Sequence, residues 1–422
     1  MALWPQLRSP RMALLLAAAA VCLVRARDQP SVHVGFGGTD VSIVPGDILL
    51  AALAIAAVVA IARDGLPREL WFTVAAAAAF SALVVGSGML NGTTAVVSAV
   101  KVSELAALGL GAAVLIRTRR QLEAVVDVLL LFTIVADAVG AVRFVTAGGR
   151  QASFLGEHDF AALATLPLLY GLAVMFTGGS RRRATVAIAA GSIGCVLGAA
   201  LASLLGLYLG SLALLTFAHA RHQLTPRRLA TTAAVVGVIT AGTLVIRAGD
   251  LGFLQAWFGK PESRPGQYAS SWSQRLIYAY VGGRVFLAHP LTGTGWYGEL
   301  PPKTFAVYLP DARRRFADQP RNYFPPAAKP FIPQQAWDQI LYELGIVGGL
   351  AMLATLVGLA RAARRAAARS VSVAAFLPAA WLAASIGALA GEGLFGGTPL
   401  AASFWLVAGV VLALSTSAAV AE

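Results

Sequence analysis

Apolar residues occupy long runs along this chain, most of them close to the ~20 positions that carry a helix across a bilayer. Charged positions concentrate at the joints between runs. Arg63 and Arg68, Arg117–Arg120, Arg181–Arg183, Arg221–Arg228 and the cluster from Arg361 to Arg369 mark alternate joints. Short arginine-rich loops resist translocation and stay cytoplasmic, so the alternation fixes a path. The predicted spans are residues 12–24, 46–62, 70–90, 96–116, 121–146, 158–177, 229–246, 338–360, 371–390 and 401–417, with a helical hairpin inside 184–218. That hairpin is forced because basic clusters flank the Ala184–Ala218 stretch on both sides, which forbids a single crossing. Its ~34 residues at about 1.5 Å each supply two short helices, turning near 202–206.

The expectation is an all-α polytopic membrane protein of about twelve transmembrane helices. It lies in the cytoplasmic membrane with both termini cytoplasmic and one long extracytoplasmic loop between spans nine and ten. Three parts follow: a bundle over 1–246 with about nine spans, the loop over 247–337 with short helices, and a three-span bundle over 338–422. The first run, Met12 to Val24, is short and follows Arg8 and Arg11. It reads as a span or as a signal-peptide core with cleavage near Val24-Arg25-Ala26. Either reading puts the next segment outside.

Composition narrows the class further. The 422 residues are 58% hydrophobic and 13% charged, with mean hydropathy +0.72. A soluble domain carries about a quarter charged residues. The net charge of +13 would suggest nucleic acid in a soluble protein. Here the basic residues sit in loops, where topology and anionic membrane lipid account for them, and no nucleic-acid partner is expected. Cys22 and Cys195 both lie in apolar runs and form neither a disulfide framework nor a metal site. No histidine or cysteine cluster has zinc-ligand spacing, so no metal is expected.

Charges inside apolar runs are costly and point to function by default. Lys101 and Glu104 are three apart and pair on one helix face, as structure or as function. Asp127, Asp137 and Arg143 lie in span five, where Asp137 and Arg143 are placed to line an outer cavity. A transporter would use such groups as its ion path. The long loop carries ten Lys or Arg against five acids between Asp250 and Lys329. Loops this long translocate whatever their charge. A basic outer surface suits an anionic ligand such as a lipid-linked diphosphate, although a merely solvated basic loop has the same composition. The Pro320–Pro333 stretch, interleaved with Tyr323, Phe324, Lys329 and Phe331, resists regular structure. It reads as a cover over a lipid or sugar entrance, or as a spacer.

Two loop segments carry a resemblance. The first runs from Arg275 through Arg284 to His289-Pro290-Leu291, Gly293 and Gly295. The second runs from Pro333-Gln334-Gln335 through Trp337, Asp338 and Glu343 to Gly345 and Gly348. Their order resembles the signature of the O-antigen ligase and Wzy-type polymerase family: an Arg-bearing amphipathic helix, a His/Asn-Pro-Leu/Ile-x-Gly-x-Gly turn, then His-Asn followed by a Glu-x-Gly-x-x-Gly entry into a span. Upstream, Arg150 to Asp159, with Phe154 and Gly156, is similar to that family's Arg-x-x-Gly-x-Phe-Gly-x-x-Asn approach to a span. Asp47, Lys101 and Glu104 also sit where relatives often carry Asp and Lys.

The resemblance implies a metal-independent, cofactor-free, inverting glycosyl transfer at the outer face of the cytoplasmic membrane. A glycan leaves a polyprenyl-diphosphate donor and joins a hydroxyl of a glycan or lipid acceptor. Arginines neutralise the leaving diphosphate where charge develops, and a base takes the acceptor proton. The chain departs from the pattern at two positions. Gln334-Gln335 stand where the family has His-Asn, and Leu204 follows Ser203 where many relatives carry arginine. Glutamine is no base, so a replacement falls to His158, Asp159, His289, Asp338 or Glu392. The Glu157-His158-Asp159 group is preferred because it clusters three titratable side chains at one span mouth, although acids at a helix start are also simply stabilising.

Arg275 and Arg284 are the expected diphosphate contacts, or else anchors to lipid headgroups. Nine residues of helix separate them by about 900°, half a turn, unless Gly282-Gly283 breaks the helix. Arg150, Arg143, Gln334 and Gln335 complete the expected substrate-binding set, and His289 with Pro290, Gly293 and Gly295 shapes a turn. Two other readings stay open: a non-catalytic polysaccharide-assembly protein that binds the lipid-linked donor, and a transporter of such lipids. The second suits this chain less, because transporters repeat their halves and one long outer loop is asymmetric.

Overall fold

Inside a bilayer the backbone has no water to bond, so apolar runs of this length close their hydrogen bonds internally as helices. The computed structural model, which describes residues 3–248, 270–370, 372–394 and 398–416, has this form. In chain order it contains α1 (Leu3–Leu7), α2 (Pro10–Cys22), strands β1 (Val32–Phe36) and β2 (Thr39–Ile43), α3 (Pro45–Asp64), α4 (Arg68–Met89), α5 (Thr93–Glu104) and α6 (Ala106–Leu115). It continues with α7 (Arg119–Ala147), α8 (Glu157–Thr177), α9 (Arg181–Gly198), α10 (Leu201–Ala220) and α11 (Pro226–Ile246). The loop supplies α12 (Ser270–Ala288), α13 (Pro302–Phe305) and α14 (Leu309–Arg315), and the chain ends with α15 (Ala336–Arg369), α16 (Leu377–Ala388) and α17 (Thr398–Thr416). Among the described residues, 9 helices are long and apolar enough to cross a membrane, α5 and α6 counting together. The protein is a multi-pass membrane protein. Part of the basic loop, 249–269, lies outside the described residues.

Burial separates centre from rim. The spanning windows of α8 and α17 are 89% and 94% buried, against 28%, 22% and 17% for α3, α4 and α11. The first two are apolar all round and form the middle, and the last three present their faces to lipid. Small residues let the central helices approach closely, as is usual in membranes. A Cβ at Gly191 of α9 would lie 2.5 Å from the Ala164 carbonyl of α8, and one at Gly206 of α10 would lie 2.5 Å from the Ala384 carbonyl of α16.

Contacts sort the joints into two ends. Arg117 meets Asp64 at 3.8 Å, Arg369 meets Glu69 at 3.7 Å, Arg365 donates to the Glu69 carbonyl, and Arg221 donates to the Ser370 carbonyl. The arginine-rich joints thus share one end of the bundle. Arg25, Asp159, the Arg150 segment, the α9–α10 turn and the loop helices share the other.

The loop is not a free strap. It has its own apolar core of Ile277, Val281, Leu300, Phe305, Phe324 and Phe331, among others. The proline-rich stretch contributes to that core, with Phe331 edge-on to Phe305 and Tyr278 at 4.7 and 4.9 Å between centroids. The loop docks on a kink in α15 at Gly345 (φ 62°, ψ −157°). Ile346 and Val347 amides donate to the Pro290 and Leu291 carbonyls, and the Thr294 amide donates to the Tyr342 carbonyl. Glu343 accepts from the Tyr297 and Gly298 amides, while Gln339 donates to both Glu343 and the Gly298 carbonyl.

Several expectations need correction. The hairpin turn falls at Ala199-Ala200, with Ala199 left-handed (φ 43°), earlier than 202–206, so that Ser203 lies in the first turn of α10. Gly282-Gly283 does not break α12. Gly282 instead makes room for the Tyr342 ring, which its Cβ would strike. Lys101 pairs with Asp47 across helices at 2.7 Å rather than with Glu104. Residues 32–43, read only as an outer segment, form a two-stranded antiparallel hairpin around Gly37-Gly38, both at positive φ.

Gly345→Ala places a Cβ in a conformation nearly reserved for glycine, at a cost of about 1–3 kcal/mol from the backbone alone, and 2.5 Å from the Leu291 carbonyl. The thermal midpoint of the purified protein is expected to drop by several degrees. An unchanged midpoint would show that the kink does not anchor the loop.

Candidate functional site

At the end opposite the arginine-rich joints, side chains from distant parts of the chain meet. The residues after α2 provide Arg25 and Arg27, the end of α7 provides Arg143, and the irregular approach to α8 provides Arg150. The first turn of α8 provides Glu157, His158 and Asp159, the end of α11 provides Arg247, and α12 provides Arg275. The α16–α17 connection provides the Ala390 and Gly391 carbonyls and Glu392.

Asp159 is held on both oxygens. Arg25 donates to Oδ2 at 3.0 and 3.3 Å, and the Leu400 amide donates to Oδ1 at 3.2 Å. Its side chain is 1% exposed. Gly156 leaves space for the Arg25 guanidinium, which a Cβ would strike. Arg150 pairs with Glu157 at 2.7 Å and donates to the Gly198 carbonyl at 3.4 Å. Arg247 donates to the Ala199 carbonyl at 3.3 Å. Arg143 donates to the Ser153 carbonyl. Arg25, Arg27 and Arg143 line a cavity of about 530 Å³ beside the Ser153–Gly156 backbone.

Arg275 reaches the Gly391 carbonyl at 3.1 Å, the Ala390 carbonyl at 3.5 Å and His158 Nε2 at 3.4 Å. A guanidinium only donates, so Nε2 accepts and the imidazole is neutral with its hydrogen on Nδ1. That Nδ1 is buried without a hydrogen-bond partner beside Gly391. Burial pulls the Arg275 guanidinium below its ordinary range, and the neighbouring Arg247 charge adds to this. Glu392 Oε2 is likewise buried with no hydrogen-bond partner among the described residues. Burial pushes the Glu392 carboxyl up to about 7, aided by the Asp159 charge and opposed by Arg25, Arg275 and Arg27.

The remaining expected site residues lie at varied distances from this group. Gln334 and Gln335 adjoin it, because the Ala336 amide donates to the Leu389 carbonyl and Pro333 packs on Gly393. Arg284 lies on the other face of α12, 3.9 Å from Asp311, which also accepts from Tyr280. His289 is exposed at the end of α12, its carbonyl accepting from Gly293 in the docking turn. Asp137 faces Gly194 and Phe160 inside the bundle instead of joining Arg143 at the cavity. Among the described residues no three His, Cys, Asp or Glu side chains are grouped to hold a metal ion.

The sequence pattern did not single out Arg25, Arg27 and Arg247, and Glu392 stood only among several possible bases. A signal was present. The predicted wiring sets these arginines at the outward ends of spans, where the orientation rule disfavours them. No family model matches the chain, and no characterised protein matches its sequence.

The two carboxylates divide by role. Asp159→Ala strands the Arg25 charge and is expected to cost roughly 3 kcal/mol, read as a lower thermal midpoint. Glu392→Gln removes no protein hydrogen bond at Oε2 and should leave the midpoint within a degree or two. Equal losses in the two variants would contradict this division.

Proposed function

We propose that this protein is a glycan ligase or polymerase. It would move a saccharide from a polyprenyl-diphosphate donor to an acceptor hydroxyl at the outer face of the cytoplasmic membrane. In this reading α2, α9 and α16 bring the crossings to about twelve, both termini are cytoplasmic, and the α12–α14 loop is outside. The observation that carries it is the gathering of Arg25, Arg27, Arg143, Arg150, Arg247 and Arg275 at one end of the bundle, with Arg25, Arg27 and Arg275 acting on Glu392, whose buried Oε2 has no hydrogen-bond partner among the described residues.

The chemistry follows from that arrangement. The diphosphate lies against Arg25, Arg27 and Arg143, which line the cavity together with Asp28, while Arg275 stands beside His158 in the first turn of α8. As the anomeric C–O bond breaks, its electron pair stays on the diphosphate, where fixed guanidiniums meet the developing charge. Glu392 takes the proton of the acceptor hydroxyl, whose oxygen forms the new bond from the opposite face. Glu392 replaces the base that Gln334 cannot provide. Asp159 is committed to Arg25, and His158 has its accepting nitrogen turned to Arg275.

A non-catalytic donor-binding protein is the second reading, favoured by Gln334-Gln335 in place of His-Asn. A reconstituted transfer assay with lipid-linked donor separates the two by release of free polyprenyl diphosphate, and donor binding without release supports the second. If the protein is the enzyme, Arg275→Ala is expected to lower turnover by roughly a hundredfold, and Glu392→Gln by a similar factor or more. Full turnover in either variant removes that residue from the mechanism.

The sign of the pH effect is set by the base. Glu392 works as the carboxylate, so wild-type kcat/KM, which reports the free protein, should fall about tenfold per unit below the carboxyl's value of about 7. The residual turnover of Glu392→Gln should lack this slope. A slope that persists in the variant assigns it to another group.

A further inference from the structure

A second cavity lies at the other end of the bundle, among the arginine-rich joints, in a groove between α7 and α9. Its volume is about 690 Å³. Arg120, Arg182 and Ser180 line its mouth, and Leu131, Ile134 and Val186 form its wall. Glu123, Asp127 and Arg183 line it too, and both acids are already paired: Arg183 holds Asp127 at 2.7 Å and Glu123 at 3.4 Å, and Arg119 holds Glu123 at 3.1 Å. Arg120 and Arg182 have no ion pair or hydrogen bond among the described residues. Their charge is uncommitted.

The wall has the opposite character. Leu131, Ile134 and Val186 are 45%, 41% and 41% exposed, so the groove opens sideways toward hydrocarbon. From Arg120 to Ile134 is one continuous helix, about 21 Å long at 1.5 Å per residue. That exceeds half of a ~30 Å hydrocarbon core, so the groove is long enough to run from the headgroup level through the hydrocarbon of one leaflet. Both α7 and α9 also begin at its mouth, and helix starts favour anions.

We infer that this groove holds one anionic phospholipid of the leaflet at the arginine-rich end, its phosphate between Arg120 and Arg182 and an acyl chain along Leu131, Ile134 and Val186. A free phosphate would leave the aliphatic wall unused, and a zwitterionic lipid would leave the two charges without a net partner. The inference is independent of the proposed transfer reaction.

The full chain in nanodiscs of phosphatidylcholine with added phosphatidylglycerol tests it, by native mass spectrometry of the lipid retained after delipidation. Wild type is expected to retain phosphatidylglycerol over phosphatidylcholine. The Arg120→Ala/Arg182→Ala double variant should bind it roughly tenfold or more weakly, the weight of two interfacial arginines on an anionic lipid. Val186→Trp, which fills the wall and leaves the charges alone, should weaken it too. Equal retention of the two lipids, unchanged retention in either variant, or displacement by millimolar inorganic phosphate would overturn the assignment.

Discussion

The fold turns on a break in one helix. Where α15 kinks at Gly345, amides and carbonyls that a straight helix would pair internally are released, and each needs another partner. The Pro290–Gly298 turn supplies them, through carbonyls of Pro290 and Leu291, the Thr294 amide, and the amides that bind Glu343. Gly293 and Gly345 are the positions where two backbones approach too closely for any side chain. This interlock fixes the end of α12, and a rigid α12 then places Arg275 over the α16–α17 connection. A backbone requirement in the bundle thereby sets the position of a guanidinium at the site.

How the site arginines are held matters as much as where they are. Arg275, Arg247 and Arg143 are oriented by carbonyl oxygens, of Ala390 and Gly391, Ala199, and Ser153. A carbonyl dipole aims a guanidinium without cancelling its charge, whereas a carboxylate does both. Arg25 is held differently, bonded to buried Asp159. Arg150 and Arg27 are likewise paired, with Glu157 and Asp28, so the positive field of the group rests on the three arginines that carbonyls hold.

Much of this was legible in the chain. The arginine joints located most of the apolar helices to within a few residues, α15 running on to Arg369 and α16 starting only at Leu377, and the flanking clusters demanded the hairpin that α9 and α10 form. The Glu343-x-Gly345 and Gly293-x-Gly295 glycines marked the docking turn. What escaped were meetings between distant segments. Arg25 and Asp159 are 134 positions apart, and no local pattern ties them together. The Lys101 partner was misjudged for the same reason: spacing along one helix offered Glu104, but Asp47 on a neighbouring helix won. The β1–β2 hairpin did carry a signal, alternating residues around Gly37-Gly38, which a pattern tuned to runs of ~20 apolar residues passes over.

Glu392 sits at the balance of these effects. Burial and Asp159 favour its protonated form, and Arg25, Arg275 and Arg27 favour the carboxylate. In the proposed reaction those same arginines also face the diphosphate. A bound donor offsets their charge, which weakens the influence that holds Glu392 ionised and makes its carboxylate more basic. Departure of the diphosphate restores the arginine field and favours release of the proton to solvent. One set of guanidiniums would then both stabilise the leaving group and time the base, which links the two halves of the transfer without any residue moving.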